Sequence, residues 1–181
     1  MKKTLIALMG ALALMLTGIA SATSASAAPA PTAGQLQIVR VGTDAMGTDT
    51  VGNRNREFVT FKNVSGVTLD IANVLVEDDW AHSRTADGDA HSCNTYKITD
   101  LPGPGTSTEL ANGESVTVFN GARWGGNYKV GTEYRLYANS DPDCGTAGQF
   151  YNNNNDTAWV TTSTGVELAK KSWDWNGGYT V

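Results

Sequence analysis

The sequence predicts an all-β domain, built as a sandwich or a barrel. Three observations carry this. Short apolar/polar alternations recur along the chain, the period-2 mark of half-buried strands. Turns rich in Gly, Asn and Asp separate them, at intervals of roughly 10 to 20 residues. No stretch beyond the N-terminal apolar run carries an apolar stripe at the helical period of 3.6.

The N-terminal segment stands apart. Lys2 and Lys3 precede an apolar run from Thr4 to Ile19, and Ala25-Ser26-Ala27 is a small-x-small cleavage pattern. This is the tripartite layout of a bacterial-type secretory signal, with cleavage expected after Ala27. The apolar run is shorter than the roughly 20 residues that span a bilayer, and no second apolar segment follows, so no transmembrane span is expected once residues 1–27 are removed. The remaining 154 residues suffice for one domain with its own core. The signal removes two lysines, taking the net charge from −5 to −7. That sign disfavours nonspecific contact with phosphate backbones, so nucleic acid is not an expected partner. Cys93 and Cys144 are the only cysteines. In an exported chain an even pair reads as a disulfide, and a loop of about 50 residues is worth roughly 4 kcal/mol in the chain-entropy account.

Residues 28–34, rich in Ala and Pro, read as a flexible leader, and the domain proper as 35–181. Strands follow in order. Residues 35–41 alternate cleanly. In 57–63, Phe58 and Phe61 cannot both face inward on a regular strand, so Val59 and Phe61 form the inward pair, with a bulge admitted at Phe58. Val64-Ser65-Gly66 turns into short strands at 67–71 and 73–78. Residues 79–94 are polar and read as an exposed loop. A brief strand at 96–98 precedes a Pro/Gly loop over 101–108. Strands at 115–120, 133–138, 157–161 and 166–170 complete the set.

Several of these segments, in this order, resemble the lamin tail domain family. Asn55-Arg56-Glu57-Phe58-Val59-Thr60-Phe61-Lys62-Asn63 is similar to its N-x-E-(F/Y)-V-x-(I/L)-x-N, and residues 67–78 to V-x-L-x-G-W-x-L-x-D. Leu110-Ala111-Asn112-Gly113-Glu114-Ser115-Val116-Thr117-Val118 looks like L-x-P-G-x-x-V-x-V, and residues 151–160 like W-N-N-x-G-D-T-A-x-L. The match covers nearly all of 35–173. Asn73 stands where the family usually has Trp, Asn112 where it has Pro, and Asn155 where it has a turn Gly. The resemblance implies an immunoglobulin-like antiparallel β-sandwich and an interaction module rather than a catalyst. Within the motifs, Gly113 supplies a turn with positive φ, and Asp156 is placed to bond nearby backbone amides.

Chemistry is sparse. Asp44, Asp49, Asp87 and Asp89 are weak calcium candidates, since hard cations take oxygens from such loops, but no spacing matches an EF-hand and no cofactor is expected. His82, Asp89 and His91 fit no zinc signature. No nucleophile elbow occurs and no carboxylate pair can be matched for glycoside cleavage, so a hydrolase ranks third and no enzyme is expected. Aromatic residues outside the strand cores are the binding candidates: Trp80, Trp124, Tyr128, Trp173 and Trp175. Trp173-Asp174-Trp175 would place both indoles on one face of a strand, whereas Trp159 reads as core. The expectation is a secreted, extracellular, monomeric, non-catalytic module that meets an unknown protein or cell-envelope component. The alternative is a carbohydrate-binding module using exposed Trp residues.

Overall fold

The computed structural model describes residues 27–43, 50–88, 93–105, 107–140, 143–144, 150–151 and 155–174. Eleven strands, a 3-10 turn at Arg54–Arg56 and one α-helix make an all-β sandwich among these residues. The first sheet contains β1 (Leu36–Gly42), β2 (Phe58–Asn63), β7 (Ser115–Phe119), β9 (Glu133–Tyr137) and the edge strand β8 (Tyr128–Val130), in the order β1-β2-β7-β9-β8. The second has β11 (Glu167–Trp173), β10 (Asp156–Thr161), β4 (Leu75–Glu77) and β5 (Thr95–Lys97), ordered β11-β10-β4-β5. A two-stranded piece joins β3 (Leu69–Asp70) to β6 (Glu109–Leu110).

Inward side chains of both sheets form one core. Val41, Val59, Phe61, Val116 and Leu136 meet Val76, Ala158 and Val160, and all are fully buried. Val59 and Phe61 are the inward pair the alternation predicts. The bulge, however, lies on β1, where the register to β2 slips between Ile38 and Arg40, and Phe58 faces outward on a regular strand. Segment 28–34 lies against the sandwich: the Pro29 carbonyl accepts from Asp70 N–H and Gly34 N–H donates to Leu168 O.

Three features depart from expectation. The sandwich is not wholly antiparallel, because β7 and β9 pair in parallel. β8 runs along the sheet edge and β9 inserts between it and β7, so the connection from β7 to β8 must cross the end of β9. Second, the polar stretch after Asp78 holds a helix, α1 (Asp79–Ala86). Asp78 caps it, accepting from Ala81 N–H at 2.7 Å. Only Ala81 is buried, so no apolar stripe announces the helix. It covers the outer face of the second sheet, which is why Glu77, an outward residue of β4, is inaccessible. The Glu77 carboxylate accepts from Thr85 on α1 and Thr161 on β10. Third, Trp159 sits outside the core, half-buried, with His82 of α1 stacked on it at 3.9 Å. Cys93 and Cys144 are disulfide-bonded, with Cα atoms 5.4 Å apart.

Candidate functional site: a displayed tryptophan beside an arginine-lined sheet face

The crossing from β7 to β8 is residues 120–127, and its base is clamped. Asn55 Nδ2 donates to Ala122 O at 2.8 Å. Asn120 Nδ2 donates to the buried Glu57 carboxylate at 2.8 Å, and the same oxygen accepts from Phe150 N–H. Asn139 N–H donates to Gly121 O, Ser140 N–H to Asn120 O, and Tyr137 N–H to Asn127 Oδ1. Gly121 is required by proximity: a Cβ there would lie 2.5 Å from Asn55 Oδ1. Beyond this base the chain turns at Gly125 and Gly126, both at positive φ, and presents Trp124 at 99% exposure. An indole left wholly in water on a clamped loop costs apolar exposure and returns no packing.

Beside the loop lies the outer face of the first sheet. Cross-strand register aligns Phe58, Phe119 and Tyr137 in one row. Phe58 and Phe119 meet at 5.6 Å, Phe119 stacks on Tyr137 at 5.0 Å, and Tyr128 of β8 stacks on Tyr137 at 6.3 Å. Guanidiniums cover the ends of the row: Arg40 is 4.8 Å from the Phe58 centroid and Arg123 is 3.9 Å from that of Tyr128. Arg135 donates to Tyr128 Oη at 3.1 Å and pairs with Glu133 at 2.8 Å, and Glu133 also lies 3.7 Å from Arg40. Burial pushes the Glu133 carboxyl up, but the Thr117 hydroxyl and Arg135 outweigh it and hold it below the usual carboxylate range.

The binding candidates thus separate. Trp124 and Tyr128 come together at this edge. Trp80 lies on α1 over the other sheet, 46% exposed, with Arg84 against its ring. Trp173 is not a surface residue: its indole is 7% exposed and packs edge-on against Tyr151 in the core, because β11 turns that side inward. Trp175 lies outside the described residues; of the proposed pair, Trp173 is buried. Asp44, Asp49, Asp89 and His91 also lie outside them. Asp87 is exposed at the C-terminal end of α1, and His82 stacks on Trp159. No group of three His, Cys, Asp or Glu able to hold a metal occurs among the described residues.

Arg40, Arg123, Arg135, Phe119 and Tyr137 were not singled out from sequence, whereas Tyr128 was. Their signal was the phase of Phe58: a residue three before the inward Phe61 must face outward unless a bulge intervenes.

A second cleft, of about 240 Å³, opens at the end of the second sheet between Asp79, Asp156 and Asp174. Asp156 accepts from the N–H groups of Asp79 and Thr157, as its motif position predicts. Just behind, burial raises the Asp78 carboxyl to about 7, despite its bonds from Ala81 and Asn94. A perturbed carboxylate near a cleft is a catalytic candidate in principle, but the Asp78 oxygens are engaged in capping α1 and holding Asn94.

No protein-family model matches the chain, and no curated protein matches it in sequence.

Proposed function

We propose that this chain is an exported, non-catalytic binding module that docks a protein or cell-envelope component through the 120–127 loop, with Trp124 as its anchor. The observation that carries this reading is a fully exposed indole on a loop whose base is hydrogen-bonded to the Asn55 and Glu57 side chains and to the backbone of Tyr137, Asn139 and Ser140. Preorganised display of Trp beside Tyr and Arg is the composition of interface hot spots. The secretory signal and the disulfide support an extracellular setting, and the resemblance to lamin tail domains supports an interaction role. A carbohydrate-binding reading is the second, favoured by the openness of both Trp124 ring faces.

The test is cosedimentation of the mature protein with isolated bacterial cell envelopes. Wild type and Trp80→Ala pellet with the envelopes, whereas Trp124→Ala stays in the supernatant. Equal retention of Trp124→Ala, or no retention of wild type, rejects the module. Retention that survives protease treatment of the envelopes favours the carbohydrate reading.

A further inference from the structure

We infer that the outer face of the first sheet, together with Trp124, binds an anionic glycan, its carboxylate or phosphate groups held by Arg40, Arg135 and Arg123. The inference rests on the 120–127 loop being the contact element. Three guanidiniums are chained across the face, from Arg40 through Glu133 to Arg135, and through the Tyr128 ring to Arg123. Glu133 is the one carboxylate in that chain, so a surplus of two positive charges remains. Arg123 forms no ion pair among the described residues. Lys62 adds a further cation on the same strand faces. All this occurs in a chain of net charge −5, so the basic face is local, and it matches an acidic ligand while the rest of the molecule repels one.

The geometry favours a glycan over an acidic peptide. The ladder rings are stacked on each other or capped by guanidiniums, so they stiffen the platform and offer little open ring face. The Arg40 and Arg123 guanidiniums lie over the Phe58 and Tyr128 rings at 4.8 and 3.9 Å, and a guanidinium fork suits two-point recognition of planar or tetrahedral oxyanions. Trp124 alone offers a free flat surface, at the border of the charged face, where the C–H side of a sugar ring can stack while its acid group reaches Arg123.

The experiment titrates the mature protein with polygalacturonate, phosphomannan, neutral dextran and polyglutamate, following Trp fluorescence and binding heat. Saturable binding to one or both anionic glycans is expected, with none to dextran, weakened about tenfold in Arg40→Ala/Arg123→Ala at unchanged melting temperature. Preference for the uronate or the phosphate polymer identifies the anion. If the double variant melts early, Arg123→Ala alone reads the same loss, since among the described residues that side chain forms no ion pair and lies over the Tyr128 ring. No binding to either anionic glycan, binding indifferent to the arginines, equal binding to dextran, or tighter binding to polyglutamate overturns the inference. Envelope retention that needs Trp124 but ignores the arginines overturns it while leaving the module intact; absence of retention rejects the module itself.

Discussion

Asp78 shows how a single buried group sets a pH response. Its carboxyl is raised from 3.8 to about 7 by burial, which outweighs the bonds from Ala81 N–H and Asn94. The folded state therefore holds a proton that the unfolded chain releases near pH 4. Stability from this group is fullest at low pH and falls as pH rises from about 4 to about 7. The melting temperature of wild type is expected to drop between pH 5 and pH 8. Asp78→Asn keeps the cap acceptor, and the buried, unpartnered Asn94 Oδ1 can turn to meet the new amide, so this variant should show a flatter profile. An equal slope in both proteins, read by calorimetry, would assign the pH response elsewhere. Residue type alone does not distinguish Asp78 from its acidic neighbours Glu77 and Asp79. Glu77 and Asp78 are both buried, at 0% and 2% exposure, while Asp79 is exposed.

At the level of elements, legibility tracked length and burial. The strands facing the shared core, such as β2 and β7, alternate over five or six residues and are readable. β6 and β8, of two and three residues, have no room to show a period. α1 buries only Ala81, so its helical period is invisible, although Asp78 at its head is a cap signal. Trp173 shows a different limit: alternation says which residues share a face, not which face is the inner one. The motif residues Asn55 and Glu57 read from sequence as sandwich builders, yet their side chains fasten the 120–127 loop. This makes a coupled prediction. Gly121→Ala forces its Cβ into Asn55 and should cost about 1–3 kcal/mol; Asn55→Ala loses one hydrogen bond, about 0.5–1.5 kcal/mol. In the double variant the side-chain clash is gone and only the Asn55 backbone nitrogen, at 3.2 Å, still crowds the new Cβ, so the costs should fall short of additive. Additive losses in urea denaturation would mean that the two residues do not meet.

Taken as a whole, the molecule is two-sided. Among the described residues, α1 covers one sheet while the outer face of the other carries no covering element beside Trp124, and that face holds Arg40, Arg123 and Arg135. One disulfide ties the segment after α1 to the segment after β9, residues 51 apart in sequence. By chain entropy it contributes about 4 kcal/mol. Cys93→Ser/Cys144→Ser should lose stability of that order in urea titration at unchanged native circular dichroism; a loss under about 1 kcal/mol would mean the reduced chain is already held by the core.

The span closed by Cys93 and Cys144 contains the whole 120–127 loop. A protease outside the cell that cuts beside the displayed Trp124 therefore severs one peptide bond without dividing the molecule. The halves stay joined through sulfur and through the strand pairing of β7 with β9 on either side of the cut. Nicked and intact protein would migrate alike until a reductant is added, and the loop that displays Trp124 is one where breakage does not release a fragment.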